Sequence, residues 1–281
     1  MSGTLFVVAT PIGNLEDITL RALRVLREVD LIAAEDTRRT AKLLAHYAIP
    51  TPSISFHAHN TRSRLSQLLA RLEGNEAVAL VTDAGMPGVS DPGVELVRAA
   101  LDRGIPVDVI PGPSAPLTAA VASGFPLDPF TILGFPPVKG RARTAWFEQV
   151  ASISHSLSFF EAPHRIQKTL DELGHVLGDR PICVGRELTK AHQELVRGPA
   201  ATLIGHITDP RGEYTVVVGP AQPTEALVIK VLDQDIYLEF GQLKQISGIS
   251  RRQQVSAIAR KHGRSAKEIY AIIEKMKSSG I

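Results

Sequence analysis

The sequence predicts two α/β domains followed by a small C-terminal helical module. Short apolar runs alternate with longer amphipathic segments, a proline-rich break lies at residues 125–129, and the charge changes near residue 244. Alternating strand and helix patterns are typical of a mainly parallel sheet covered by helices. At 281 residues the chain is long for one hydrophobic core. We therefore divide it into residues 1–120, 125–220 and 225–281.

Five apolar runs of the first domain predict strands, because a strand buried on both faces is a nearly continuous apolar run. They are residues 5–9, 31–34, 53–56, 77–81 and 107–110. The amphipathic segments between them predict helices over 18–29, 39–47, 62–72 and 93–103.

The second domain repeats this pattern and is predicted to be α/β or α+β. Its strands are predicted at 131–133, 157–160, 182–185 and 214–218, and its helices at 141–150, 166–177 and 200–207. Residues 195–196 are too short to predict a strand alone, but they could add one.

The C-terminal module follows a linker at residues 220–223 and has helical periodicity over 226–240, 243–246, 251–262 and 265–277. Ser250 and Ser265 suit helix N-caps, and Ser265 with Glu268 has the spacing of a capping box. From Lys244 onwards, nine basic residues face two acidic ones, a net charge of +7 that leaves −5 for the rest. A helix-turn-helix-like surface for nucleic acid and an ordinary solvated helical face both agree with this charge.

Four unusual loops follow strands of the first domain, at residues 10–14, 35–38, 83–93 and 111–115. In an open α/β sheet, ligands bind beyond the carboxyl ends of the strands, so these loops are predicted to converge. The loop at 83–93 contains three glycines and two prolines, which give a fixed backbone with few side chains in the way of a ligand.

Several classes of function are disfavoured. The single Cys183 excludes a disulfide framework and a multi-cysteine zinc site, as expected in a reducing cytoplasm. No apolar stretch has the length of a membrane span, so we predict a cytoplasmic protein without a membrane partner. The nucleotide loops with the spacings G-x-x-x-x-G-K-S/T and G-x-G-x-x-G are absent, as is the G-x-S-x-G elbow of serine hydrolases.

No metal site is predicted. His57 and His59 share one face of an extended segment but lack a nearby third ligand, and Asp83 and Asp91 suit turn formation.

Three strand ends concentrate charged and aromatic residues, at 35–40, 159–165 and 186–194. Glu35 and Asp36 suit the positive end of a helix, whereas Arg38 and Arg39 suit a phosphate; both interpretations stay open. The other two segments suit a functional site, although structural ion pairs also contain such residues.

Six motifs in order resemble the bacterial 16S ribosomal RNA 2′-O-ribose methyltransferases, which modify a cytidine of the decoding region and belong to the tetrapyrrole methylase superfamily. The motifs occupy residues 8–19, 35–38, 83–93, 111–115, 160–165 and 186–190. The resemblance covers about residues 4–220, and it extends more loosely to the helical tail.

This resemblance implies a homodimer of two-domain chains with S-adenosylmethionine in the cleft between the domains. It implies cofactor contacts from Pro11, Asp83, Ala84, Gly85, Val89, Ser114, Ala115, Phe160 and Ala162. Tetrapyrrole-modifying members usually begin with a Gly-x-Gly-Pro-Gly loop, whereas this chain has Ala-Thr-Pro-Ile-Gly at 9–13. That departure argues against a porphyrinoid substrate.

The implied reaction needs a base, because a ribose hydroxyl is a poor nucleophile. The side chains of suitable type are Glu35, Asp36, His57, His59, Glu161 and His164, of which we favour Glu35 and Glu161. Cations that border the predicted cleft would bind 16S ribosomal RNA in the small ribosomal subunit: Arg38, Arg39, Lys139, Arg141, Arg143, Arg165, Arg186 and Lys190. The alternatives are a tetrapyrrole C-methyltransferase and a noncatalytic RNA-binding ribosome assembly factor.

Overall fold

The computed structural model describes residues 3–58, 60–89, 91, 93–208, 210–221, 233–244, 250–261 and 264–278. Contacts divide the chain into two compact units, Met1–Ala221 and Gln222–Ile281, each treated by itself below. Several predicted features lie outside the described residues: His59, the linker at 222–223, the helix start at 226–232 and residues 245–246.

The first sheet contains the five strands predicted for the first domain. These are β1 (Leu5–Val8), β2 (Leu31–Ala34), β3 (Ser53–Ser55), β4 (Val78–Val81) and β5 (Val107–Ile110). Their spatial order is β3-β2-β4-β1-β5, and every neighbouring pair is parallel. The predicted helices are α1 (Leu20–Glu28), α2 (Thr37–His46), α3 (Thr61–Glu73) and α4 (Gly93–Leu101).

Side chains of the central strands alternate between two apolar cores, one on each face of this sheet. On one face, Val8, Ile32 and Val81 pack with α1 and α2. On the other face, Leu5 and Leu80 pack with α3 and α4. Burial on both faces explains why these strands have no polar positions, and it leaves the carboxyl ends of the strands as the exposed edge of the sheet.

The second sheet is mixed. Its strands are β6 (Phe130–Ile132), β7 (Ser156–Glu161), β8 (Ile182–Arg186), β9 (Glu194–Gly198) and β10 (Tyr214–Val218), in the order β6-β7-β10-β8-β9. Only the pair β6 and β7 is parallel among these neighbours. Residues 195–196 therefore belong to a strand, and the α+β alternative describes this sheet better. The helices α6 (Gly140–Ser152), α7 (Ile166–Leu177) and α8 (Ala200–His206) cover one face.

One helix, α5 (Ala115–Ser123), was not predicted from the sequence, and it links the two sheets. It follows β5 of the first sheet but packs on β7, β8 and β10 of the second. Its small, fully buried Ala119 shares an apolar cluster with Cys183 and Val217. The predicted domain boundary at 120–125 thus falls at a helix that contributes to the second core, and the boundary itself stays a prediction.

The C-terminal unit contains three described helices, α9 (Asp233–Lys244), α10 (Arg251–Lys261) and α11 (Ala266–Ser278). They pack around Ile236, Val255, Ile258, Ile269 and Ile273. The capping box is present, because the N–H of Ser265 donates to the Glu268 carboxylate at 2.7 Å and the N–H of Glu268 donates to the Ser265 hydroxyl at 3.2 Å. The predicted segments 226–240 and 243–246 overlap one helix, α9. None of the helices that the structure describes is long and apolar enough to cross a membrane.

Arg180 holds three segments of the second domain together. Its side chain is buried and donates to the carbonyl oxygens of Gly219 at 2.7 Å, His155 at 2.8 Å and Val150 at 3.4 Å. Burial lowers the pKa of this guanidinium. Buried carbonyl groups are costly without a donor, so the side chain satisfies three of them at once.

Arg180→Met is expected to lower the free energy of unfolding by about 3 kcal/mol, because three carbonyl groups lose their donor. Urea denaturation followed by circular dichroism measures this loss. The control is Arg98→Met on α4, whose side chain is 78% exposed; it should change stability by no more than about 0.5 kcal/mol. Equal effects of the two substitutions would contradict this assignment.

Candidate active site

The predicted loops converge at the carboxyl edge of the first sheet. Thr10 and Gly85 exchange backbone hydrogen bonds of 2.9 and 3.0 Å, which join the loop after β1 to the loop after β4. Glu35, at the end of β2, accepts from the Thr82 hydroxyl at 2.7 Å and from the N–H of Asp83 at 3.2 Å. Three loops are thereby held in one arrangement by contacts between their own residues.

A cavity of about 290 Å³ lies between these loops and the second sheet. From the first domain it is lined by Ile12, Glu35, Arg39, Thr82, Asp83, Ala84, Gly85, Met86, Val89, Asp91, Ser114, Ala115 and Pro116. From the second it is lined by Phe135, Phe160, Glu161, Ala162, Pro163, Leu188, Gly212, Glu213, Tyr214 and Thr215. Its volume is close to the lower end of the range for small-molecule sites.

Eight of the nine predicted cofactor residues line this cavity, all but Pro11. Other lining residues were not predicted, including Ile12, Phe135 and Tyr214. Ile12 lies in the motif at residues 8–19, and Tyr214 begins the predicted strand at 214–218. These segments were the features of the sequence that could have indicated the two residues. Phe135 gave no such signal; its ring lies 5.2 Å from that of Phe160 at an angle of 33° and forms an apolar wall with it.

Gly85 has a φ of 88°, a backbone conformation that glycine adopts without strain. The loop there turns back to pair with Thr10 and leaves the cavity wall without a side chain. Asp91 holds Gly88 and Gly93 near each other, because its carboxylate accepts from their N–H groups at 2.8 Å each. The glycines and acidic residues of this loop thus have separate tasks, with backbone lining the wall and carboxylates holding its shape.

Asp83 carries a carboxylate in the cavity wall. One oxygen, Oδ1, accepts from the N–H of Asp36 at 2.9 Å, and Oδ2 lies 3.5 Å from Nε of Arg39. Burial and the neighbouring Glu35 carboxylate raise the pKa of Asp83, while the Asp36 N–H and Arg39 oppose that rise. The result is a carboxylate that binds a proton more readily than an exposed aspartate does.

Asp36 has the opposite character. Its carboxylate accepts from the backbone N–H of Arg38 at 2.8 Å and pairs with that residue's guanidinium at 2.7 Å. These hydrogen bonds hold the pKa of Asp36 well below its usual range. Asp36 therefore caps α2, as one of the two sequence interpretations predicted.

A series of alternating charges connects the two domains beside the cavity. The Arg39 guanidinium lies 3.9 Å from Glu213, and Lys190 contacts Glu213 at 3.1 Å and Glu187 at 2.9 Å. Burial opposes ionisation of Glu187, yet the hydrogen bonds from Lys190 and from the N–H of Glu213 lower its pKa. Arg39 is the loosest member of this series, since its side chain is 58% exposed and both of its ion pairs are long.

A second cavity of about 210 Å³ opens beside the first. It is lined by Thr10, Pro11, Leu15, Arg39, Thr40, Lys42, Leu43, Thr82 and Asp83. Pro11, which the sequence assigned to the cofactor, therefore lines this neighbouring space.

The second predicted catalytic residue, Glu161, is placed differently from Glu35. Its side chain is fully buried, and its carboxylate accepts from the Thr169 hydroxyl at 2.6 Å and the Ala162 N–H at 2.8 Å, with Arg165 at 3.2 Å. Every one of these partners belongs to the second domain. These contacts favour a carboxylate that orients the strand end, and the catalytic role of Glu161 stays a prediction.

Two predicted RNA cations are also engaged inside the second domain. Arg165 donates to the carbonyl of Pro136 at 2.6 Å besides its pair with Glu161. Arg143 is buried and bonds to Thr169, Glu172 and the carbonyl of Pro137. These contacts contradict a direct role in RNA binding for Arg143. The Arg165 side chain is also mostly buried, so little of its surface is accessible to RNA.

The remaining predicted cations are more accessible. Arg38 and Arg141 are exposed on the first turns of α2 and α6. Arg186 lies at the end of β8 and donates to the carbonyl of Arg211 at 2.9 Å. His57 lies beside Asn60, at 3.3 Å between side-chain nitrogens. Among the described residues, no group of three or more His, Cys, Asp and Glu side chains is arranged to hold a metal ion.

The first loop meets the second domain at Gly13. A Cβ on Gly13 would lie 2.5 Å from the Leu188 carbonyl oxygen and 2.6 Å from Oγ1 of Thr189. The Thr189 hydroxyl accepts from the N–H of Asn14 at 3.0 Å. Glu187 and Thr189 have φ values of 49° and 64°, which are uncommon for residues with a Cβ, so this segment holds a strained backbone against the first loop.

Comparison with known proteins adds an independent observation. Residues 4–204 match the family of Tetrapyrrole (Corrin/Porphyrin) Methylases. The chain is 40% identical to Ribosomal RNA small subunit methyltransferase I of Synechocystis sp. over 281 residues, which cover 99% of this chain and 100% of that protein. It is 47% identical to the protein of the same name from Thermotoga maritima over 218 residues, 77% of this chain and 98% of that one.

A solved structure supports the fold. Uroporphyrin-III-C-methyltransferase from Thermus thermophilus matches with a TM-score of 0.57 at 20% identity, covering 77% of this chain and 94% of that one. At this level of identity the similarity concerns the fold alone.

Gly13→Ala is expected to lower the free energy of unfolding by about 2 kcal/mol, because the added methyl group would overlap the Leu188 carbonyl. Thermal and urea denaturation measure this loss. Gly205→Ala is the matched control, because a Cβ on Gly205 of α8 meets no atom within 4 Å. The control should be neutral or stabilising, and a similar loss in both variants would rule out the close contact as the cause.

Proposed function

Because the chain belongs to the family of tetrapyrrole methylases, we propose that it transfers a methyl group from S-adenosylmethionine to ribosomal RNA of the small subunit. The observation that carries this proposal is the 40% identity with a small-subunit ribosomal RNA methyltransferase along the whole of both chains. The cavity between the two sheets supports it, since it lies where open α/β sheets bind ligands.

The cavity has the chemistry expected of a site for S-adenosylmethionine. Gly85, Ala84, Ser114 and Ala115 offer backbone and small side chains, and the rings of Phe135 and Phe160 offer an apolar surface for an adenine. We propose that Asp83, Val89 and Ala162 complete the site, with Pro11 on its border. The bound cofactor supplies an activated methyl group on a sulfonium sulfur.

The finer proposal is that the acceptor is the 2′-hydroxyl of a cytidine in the decoding region of 16S ribosomal RNA. The motifs at the strand ends resemble those of enzymes with this activity. The protein's own task in such a reaction is to align the hydroxyl with the methyl carbon, exclude water and accept the hydroxyl proton. Glu35, at the first cavity, and the cations Arg38, Arg39, Arg141, Arg186 and Lys190 are the proposed contributors, and Arg165 acts on the second domain itself.

We also propose a homodimer. Apolar side chains are exposed on consecutive elements near the end of the first domain: Val109 on the edge strand β5 is 50% exposed, and Leu117 and Val121 on α5 are 51% and 72% exposed. Surfaces of this kind commonly mark contacts with another protein chain. Light scattering of the purified protein gives the oligomeric state directly.

Methylation of purified small ribosomal subunits tests the proposed function. With labelled S-adenosylmethionine, we expect one methyl group per subunit, on the ribose of a cytidine, located by nuclease digestion and mass spectrometry. Label on a base, or no label, would refute the proposal. Binding of a porphyrinoid with methylation of its carbon would favour the tetrapyrrole alternative, and an absence of S-adenosylmethionine binding would favour a noncatalytic assembly factor.

The C-terminal unit is proposed to add RNA affinity. Arg252, Lys267 and Lys277 are exposed on its helices α10 and α11. Phosphate contacts by such cations strengthen binding without choosing a sequence.

Deletion of residues 225–281 is expected to weaken binding to small subunits at least about tenfold and to flatten its dependence on salt. Affinity for S-adenosylmethionine should not change, because every residue of the proposed cofactor site lies within Met1–Ala221. Filter binding and calorimetry measure the two affinities. Replacing Arg252, Lys267 and Lys277 by Gln in the full chain is the control for the deletion, and unchanged RNA affinity in both proteins would refute this role.

A further inference from the structure

We propose that Asp83 is the base of the methyl transfer and that the smaller cavity beside it receives the nucleotide whose hydroxyl is methylated. This inference rests on the proposed function. It gives Asp83 a catalytic role in addition to its predicted cofactor contact, and it assigns the smaller cavity to the substrate.

The position of Asp83 is the first argument. Of the described residues, three line both cavities, namely Arg39, Thr82 and Asp83. The Thr82 hydroxyl already donates to Glu35. The Asp83 carboxylate therefore lies between the proposed cofactor site and the smaller cavity. The substrate hydroxyl and the methyl group would meet at this position.

The hydrogen bonding of Asp83 is the second argument. Its Oδ1 accepts a hydrogen bond from the N–H of Asp36 at 2.9 Å, which restrains the side chain. Its Oδ2 lies 3.5 Å from Nε of Arg39, beyond the usual length of a hydrogen bond. This oxygen is thus oriented by the protein and still able to accept a substrate proton.

The other acidic groups are less suited to the role. The Asp36 carboxylate is paired with Arg38 and binds protons weakly. The Glu161 carboxylate is buried beneath three donors. Glu35 holds the N–H of Asp83 and the Thr82 hydroxyl with one oxygen, so we assign it as a positioning residue.

Glu35 also tunes Asp83. A second carboxylate nearby favours the protonated form of its neighbour, and burial acts in the same direction. Arg39 opposes both effects from α2. The charged groups that face Asp83 or line its two cavities are Glu35, Asp36, Arg38, Arg39, Lys42, Asp91, Glu161 and Glu213.

The smaller cavity suits a ribose phosphate. Lys42 and the loosely paired Arg39 line it and bring positive charge, which phosphate oxygens require. Pro11, Leu15 and Leu43 supply apolar surface on the same walls.

In the proposed step, the hydroxyl oxygen forms a bond to the methyl carbon and the bond from that carbon to the donor sulfur breaks. The hydroxyl proton passes to Oδ2 of Asp83, and the sulfonium becomes a neutral thioether. Asp83 then releases the proton to solvent, so charge and atoms balance without a further reactant.

Asp83→Asn tests the base directly in the full-length protein. Single-turnover methylation of small subunits, at a concentration of S-adenosylmethionine that calorimetry shows to be saturating for each protein, should slow by at least about 100-fold. Asp108→Asn is the matched control, since Asp108 pairs with Arg21 at the surface and does not line either cavity. A normal rate, or a loss of cofactor binding that accounts for the slower rate, would overturn the proposal. A wild-type protein that methylates nothing would instead refute the proposed function.

Two neighbouring substitutions should shift the pH dependence in opposite directions. The base must be ionised, so the rate falls as the pH drops through the pKa of Asp83. Glu35→Gln removes a like charge and should move this acidic limb to lower pH, whereas Arg39→Gln removes a cation and should move it to higher pH. Carboxylate-detected NMR of the cofactor-free proteins, with Asp83→Asn for assignment, should give the same two shifts. Shifts that are absent or of the same sign would overturn the assignment.

Lys42→Gln tests the smaller cavity. It should raise KM for small subunits several-fold with little change in kcat or in cofactor affinity, since it removes one phosphate contact. Lys168→Gln is the control, because Lys168 is an exposed cation of α7 outside both cavities. An unchanged KM, or equal changes in both variants, would place the acceptor elsewhere.

Discussion

The close approach of the first loop to the second domain is the constraint on which the site depends. At Gly13 the backbone lies against residues 188–190 with no room for a Cβ, and the first loop there contacts the second domain directly. The helix α5 also requires a small residue at its contact, because Ala119 packs directly on the second sheet. Interiors of proteins are packed at nearly crystalline density, so small residues at such points set the distance between two sheets.

Charge within the site follows from this geometry. Acidic residues at the ends of the first sheet would repel one another without partners, and they obtain them from backbone N–H groups and from arginines on α2. The pairing is unequal. Asp36 has a short ion pair with Arg38, whereas Asp83 has a long ion pair with Arg39 and a carboxylate neighbour. The pKa of Asp36 is therefore lowered and that of Asp83 is raised. The Asp36 carboxylate thus stabilises the local structure, whereas the Asp83 carboxylate is suited to accept a proton.

The sequence predicted the first sheet well because its central strands β1, β2 and β4 are buried on both faces and carry an unbroken apolar signal. It also predicted the convergence of the loops, since parallel strands present their carboxyl ends at one edge. It did not predict α5, whose small apolar residues lack an amphipathic period. Nor did it separate Glu161 from Glu35, because both lie at the end of a strand and differ in partners that are distant in sequence, such as Thr169 for Glu161. Roles that depend on burial by other elements leave no local pattern to detect.

The placement of α5 also affects how the chain is assembled during synthesis. The first sheet is complete once β5 has emerged, but the buried side of α5 has its partners in β7, β8 and β10, which are made later. An N-terminal nascent chain therefore exposes an apolar helix until some hundred further residues have been added. At ordinary rates of translation this takes on the order of ten seconds. The same helix that joins the two sheets in the finished protein is therefore an exposed apolar surface while the ribosome is still working.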